Sequence, residues 1–151
     1  MSGLINSAGS RSGVIGTTEL DVEEGEWTPT NTNSGSNTLV TGALKAAYIK
    51  IGKLVVCNFY LRVIDTTGAG DIPTAGDMGG LPYTANSGVS GADGTWGAGG
   101  GVVTYSNGFG TEDTSIQVNS ADTTWRFYAG YSQKQLPDNK NAKGTITYYT
   151  S

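Results

Sequence analysis

The chain has no histidine, and that single absence excludes more chemistry than any residue present establishes. Without imidazole there is no Ser-His-Asp or Cys-His mechanism, and the usual zinc ligand sets cannot be assembled. Only one cysteine, Cys57, is present, so no intrachain disulfide forms and the redox compartment leaves no mark. Charge is sparse, at 15% of 151 residues with a formal net charge of −4. The nine Lys and Arg residues are scattered, so the electrostatic footprint of a nucleic-acid binder is missing. No apolar run exceeds four residues. That is too short for a membrane helix or for the hydrophobic region of a secretory signal, and a soluble chain without a cleaved leader is expected. There is no glycine-rich loop ending in Gly-Lys-Ser/Thr and no strand-GxGxxG-helix unit, which leaves nucleotide binding without a motif. Asp65, Asp71, Asp77, Asp93, Glu112 and Asp113 could in principle furnish a glycosidase pair. All fall in expected loops, where acids are ordinarily solvated. The expectation is a protein that is not an enzyme and holds neither cofactor nor metal.

What is present is a turn-rich, helix-poor composition: 24 glycines, with Ser, Thr and Asn crowding the gaps between short apolar runs. A chain of this length can bury roughly 70% of its unfolded surface in one core. The most continuously patterned stretch is Tyr48 to Ile64. From Leu54 onward Val55, Cys57, Phe59, Leu61 and Val63 fall on one side, and Val56, Asn58, Tyr60 and Arg62 on the other. This period of two predicts a half-buried strand with its first set in the core. Tyr48 to Ile51 reads as a shorter partner strand, reversed into the long one through Ile51-Gly52-Lys53.

Residues 1–26 read differently. Apolar residues come as isolated pairs, Leu4-Ile5 and Val14-Ile15, followed by Leu20 and Val22, with no sustained period. The expectation is an extended N-terminal arm that docks on another surface, as opposed to a disordered tail. Five of the eight residues from Glu19 to Glu26 are acidic, which predicts a solvated charge run in preference to a calcium site. Composition shifts at Trp27-Thr28-Pro29, where an edge strand and the folded domain, residues 27–151, are expected to begin. Leu39 to Ala47 is ambiguous between a helical turn and a strand or loop, and Gly42 favours the latter.

Glycines 88, 91, 94, 97 and 100 recur at every third position without proline, which predicts a flexible loop and not a triple helix. Trp96 within it is either tucked onto the domain or offered to a ligand. Further strands are expected at Gly101–Ser106, Ser115–Asn119, Thr124–Tyr131 and Gly144–Thr150. In the third of these Trp125, Phe127, Ala129 and Tyr131 share one face, and Arg126 and Tyr128 the other. Turn signals stand at Ser106-Asn107-Gly108, at Asn119 to Asp122 and at Leu136 to Asn139. About eight short strands so spaced predict an all-β fold, an antiparallel β-sandwich of jelly-roll kind.

Taken together, Gly9-Ser10-Arg11-Ser12-Gly13-Val14-Ile15-Gly16-Thr17-Thr18-Glu19-Leu20-Asp21, Glu24-Gly25-Glu26-Trp27-Thr28-Pro29, Tyr48-Ile49-Lys50-Ile51-Gly52-Lys53 and Gly80-Leu81-Pro82-Tyr83 resemble a module of tailed-bacteriophage appendages, notably tail fibres of phages with marine and cyanobacterial hosts. The resemblance runs over nearly the whole chain and is most specific in the first 30 residues. It implies a homotrimeric virion structural protein. Met1 lies only a few residues before the first motif, so no shaft is expected, and a capsid decoration protein or short head fibre is the closer expectation. On that reading Leu4, Ile5, Val14, Ile15 and Leu20 anchor the arm to the major capsid protein or to other virion proteins. Tyr60, Arg62, Arg126 and Tyr128, of residue types enriched at interfaces, would form the subunit contact. The alternative is a tail-fibre tip whose loop around Trp96 meets host surface polysaccharide.

Overall fold

The computed structural model describes residues 21–32, 37–39, 45–65, 78–87, 98–109, 114–130, 132–134, 136 and 139–151. The described residues are all β, without a helix. The strands are β1 (Val22–Glu26), β2 (Thr30–Asn31), β3 (Asn37–Leu39), β4 (Lys45–Ile51), β5 (Leu54–Asp65), β6 (Met78–Gly79), β7 (Gly99–Ser106), β8 (Thr114–Val118), β9 (Trp125–Ala129), β10 (Ser132–Lys134) and β11 (Asn141–Tyr149). Every pairing between them is antiparallel.

The expected hairpin is β4 and β5, in register from Ile51↔Leu54 to Lys45↔Tyr60. Gly52 opens its two-residue turn at φ 58°, a left-handed conformation that residues with a Cβ adopt only under strain. The alternation read in β5 is also the observed one. Val55, Cys57, Leu61 and Val63 are wholly buried and Phe59 nearly so, while Asn58 and Arg62 are exposed. In β9 Trp125, Phe127 and Ala129 are buried in the same way.

The pairing runs through one continuous sheet, in the order β1-β4-β5-β11-β7-β8-β9-β6-β2. It does not display the two separate sheets of a jelly roll, because β11 bonds both β5 and β7 and so carries the ladder from one wall to the other. The sheet is strongly curled. Strands β5 and β9 are four places apart, about 19 Å in a flat sheet, yet the Phe59 and Trp125 rings lie 5.1 Å apart. Phe59–Phe127 at 6.2 Å and Trp27–Trp125 at 6.4 Å cross the same interior. Edge-to-face aromatic packing of this kind fills the centre of the half-barrel.

Glycine allows the bend. A Cβ on Gly101 would lie 2.0 Å from the Thr145 carbonyl oxygen, and one on Gly99 2.3 Å from the Tyr148 Cβ. Strands β7 and β11 therefore approach where side chains cannot fit. Gly99 and Gly100, expected in the flexible loop, belong to β7.

The sheet also starts earlier than expected. Val22 to Glu26, assigned from sequence to the arm, form the edge strand β1, in register with β4 from Val22↔Ile51 to Glu26↔Ala47. The expected edge strand at Trp27-Thr28-Pro29 is instead the connection that follows it, with Trp27 N–H donating to Ala46 and its indole N–H to the Asn58 carbonyl at 3.2 Å. Of the stretch Leu39–Ala47, Leu39 ends β3 and Lys45 opens β4, whereas 40–44 lie outside the described residues.

Candidate interaction face

Directly paired residues of neighbouring strands project from the same side of a sheet. On the outer side of β1, β4, β5 and β11 this rule produces the row Val22–Ile51–Leu54–Tyr149, and next to it the row Glu24–Ile49–Val56–Thr147. Val22, Ile49, Ile51 and Tyr149 are 42–55% exposed, and Leu54 and Val56 are half-buried among them. An apolar corner thus faces outward.

It continues onto β7. Thr145 pairs with Val102, and Lys143 with Tyr105, across a bulge at which Thr104 has no opposite number. Without that extra residue Val102 and Tyr105, three apart, would point to opposite sides. With it they share the outer face, exposed by 57% and 49%. The Lys143 ammonium lies 5.5 Å from the centroid of the Tyr105 ring, a cation–π contact on the surface. All six exposed large hydrophobic residues among those described, Val22, Ile49, Ile51, Val102, Tyr105 and Tyr149, are therefore on one side of one part of the sheet.

The inner side of the same corner is held by a polar clasp. Glu23 accepts from the Lys50 ammonium at 2.6 Å and from the Tyr83 hydroxyl at 2.5 Å. Lys50 also sits 5.2 Å from the Tyr83 ring centroid, and the Tyr48 ring meets Tyr83 edge-on at 5.5 Å. The Lys50 contact first, then the Tyr83 hydroxyl, lowers the Glu23 carboxyl below its usual value, and Glu23 in turn raises both Lys50 and Tyr83. Asp21 adds a weaker ion pair to Lys50 at 3.8 Å. One acid of the expected solvated run is thus committed to the fold, while Glu24 and Glu26 remain exposed. The clasp secures residues 80–87, which cross the end of the half-barrel. That segment is tied on by Leu81 N–H to Thr123, Ala85 N–H to Asp122 and Asn86 N–H to Tyr149.

The sequence-derived contact residues divide between two walls. Tyr60, half-buried, and Arg62, exposed, lie on the outer face just described, at the end away from the apolar corner. Arg126 and Tyr128 are half-buried on the outer face of β9. Their inward neighbours Phe59 and Phe127 meet in the core, so the two outward pairs project from opposite walls and form no single surface. Leu4, Ile5, Val14, Ile15 and Leu20, and Trp96 with residues 88–97, lie outside the described residues. Among the described residues no three His, Cys, Asp or Glu are grouped to hold a metal ion.

The apolar corner escaped the sequence reading. Its members come from four strands; alternation marks Ile49 and Ile51 in β4 and Leu54 and Val56 in β5 as facing away from the core, but nothing local joins them to Val22 and Tyr149.

Compared with family models, with curated proteins and with solved structures, the chain matches none of them.

Proposed function

We propose that this chain is a structural protein of a bacteriophage virion, a homotrimeric capsid decoration protein or short head fibre attached through its N-terminal segment. The observation that carries the reading is the outward apolar face. Monomeric soluble proteins rarely leave a contiguous patch of several large hydrophobic side chains open to water, and such patches mark surfaces that another protein covers. A chain that works by assembling needs such a face.

The resemblance of the early motifs to tailed-phage appendages supplies the kind of assembly. Cyclic trimers close through two different surfaces per subunit, a heterologous contact. The outer face, acidic along β1 at Glu24 and Glu26 and basic at Arg62 and Lys143, offers two different surfaces for that closure.

Imaging of intact particles tests the reading together with sedimentation of the purified chain. Many copies on the shell and a trimer in solution are the expected result. A few copies at the end of the tail would establish instead a fibre tip that meets host surface polysaccharide. A chain absent from particles would overturn both.

A further inference from the structure

We infer that the apolar corner formed by Val22, Ile49, Ile51, Leu54, Val56 and Tyr149 is the seat of a second copy of this chain. The inference rests on the homo-oligomeric reading above and says which surface makes the contact. It moves the contact away from Arg126 and Tyr128.

Area is the first argument. About half of each exposed side chain on the face is open, and a large aromatic alone can bury ~150–250 Å². The six exposed residues of the outer face, four in the corner with Val102 and Tyr105 on β7, together present apolar surface on the order of 500 Å², the upper range of the largest patch on a monomer, which is often functional. Leu54, Val56, Thr147 and Thr145 lie among them on the same face. Together they approach the ~800 Å² that each partner contributes to a standard interface.

Charge is the second. Among the described residues the charge nearest the corner stands on its β1 edge, where Glu24 is paired with Ile49. One flank of the same face is acidic, with Glu24 and Glu26 exposed on β1, and the far end is basic, with Arg62 and Lys143 exposed on β5 and β11. A copy placed head to tail brings the acidic flank of one chain toward the basic end of the next, and such an arrangement steers and registers association. An acidic partner would be met by Glu24 and Glu26, and a basic one by Arg62 and Lys143, so a partner carrying both signs fits best.

Edge pairing is the third consideration, and it is disfavoured. Strand β1 ends the sheet, but its sequence Val-Glu-Glu-Gly-Glu would align carboxylates against carboxylates in a β1–β1 ladder. Charged edges of this kind block strand addition.

The experiment is sedimentation of the full chain across a concentration series, with I51K and Y149S as corner variants and R126A and Y128S as controls on the opposite wall. Circular dichroism and melting establish that each variant folds. The expected result is an oligomer for the wild type and for both controls, and an apparent dissociation constant raised at least tenfold in folded corner variants. Folded corner variants that assemble like the wild type, or controls that dissociate instead, would overturn the corner while leaving the homo-oligomeric reading intact. A wild type that stays monomeric throughout would remove that reading and the inference with it. In that case, assembly on deletion of residues 1–20 would identify the chain's own N-terminal segment as the occupant.

Discussion

The hydroxyl of Tyr148 is hydrogen-bonded twice to the backbone of a single residue, Tyr83, accepting its N–H at 3.2 Å and donating to its carbonyl at 3.1 Å. Tyr148 is 1% exposed in β11, and Tyr83 belongs to the segment that crosses the end of the half-barrel. An interior strand of the sheet therefore holds that segment by one buried oxygen. From the other side the Tyr83 hydroxyl reaches Glu23 on the edge strand, so the edge of the sheet and its interior are linked through one tyrosine.

Replacing Tyr148 by Phe keeps the ring and removes both bonds, leaving a donor and an acceptor on Tyr83 without their partner. The expected loss is about 2–3 kcal/mol in urea unfolding. Y83F leaves those backbone groups paired with Tyr148 and gives up only the bonds of its own hydroxyl, so it should cost less. Equal losses in the two variants would show that the double bond to Tyr83 is not what Tyr148 contributes.

The clasp makes an acid-sensitive contribution. The Glu23 carboxyl is held below its ordinary value of 4.5 by the Lys50 ammonium and by the Tyr83 hydroxyl. The unfolded chain therefore takes up this proton more readily than the folded one. The stabilisation is present above about pH 4.5 and is lost as pH falls through the lower folded value. Melting of wild type and E23Q at pH 7 and pH 3 should show the larger fall in the wild type. Parallel curves would mean that the carboxylate contributes nothing through its charge.

The two long alternating strands were legible in sequence because alternation is a local signal: Val55 to Val63 and Trp125 to Ala129 announce their buried sides within a few residues. Strand β1 was not legible, because Val-Glu-Glu-Gly-Glu has no apolar side of its own. What holds it is the ladder to β4 and the bonds of Glu23 to Lys50 and Tyr83, 27 and 60 residues away. The interaction face was hidden for a related reason. Val22, Ile51, Leu54 and Tyr149 fall into one row only because β4 and β5 lie between β1 and β11, an order fixed by long-range pairing. The same holds for the glycines of β7, whose spacing suggests a loop until the backbone of β11 is placed against them.

Those glycines should discriminate between two kinds of requirement. In G101A the new methyl would sit 2.0 Å from the Thr145 carbonyl oxygen, so β7 and β11 must part. A loss of at least ~3 kcal/mol or failure to fold is expected, as for severe overpacking. Gly52 has open space around it and a left-handed φ, so G52A should cost only the backbone term, about 1–2 kcal/mol. Guanidinium unfolding of both variants checks the order, and a G101A chain as stable as G52A would contradict the close approach of the two strands.

The last prediction concerns Cys57, which lies wholly buried in β5 between Tyr48 of β4 and Ile146 of β11. Burial pushes its thiol from the ordinary 9.0 up to about 12. Only the thiolate is nucleophilic, and with that shift roughly one molecule in ten thousand carries it at pH 8. Native protein should therefore resist iodoacetamide at pH 8, while protein in concentrated urea should react fully. The same shift fixes a sign in alkali. The unfolded chain ionises first, so stability drawn from the neutral thiol is complete below about pH 9 and declines as pH rises toward the folded value. C57A should show a shallower alkaline loss than the wild type. Rapid labelling of the native chain would mean that β5 opens locally, and an exchange-resistant ladder beside a reactive thiol would place that opening in the side-chain packing and not in the strand pairing.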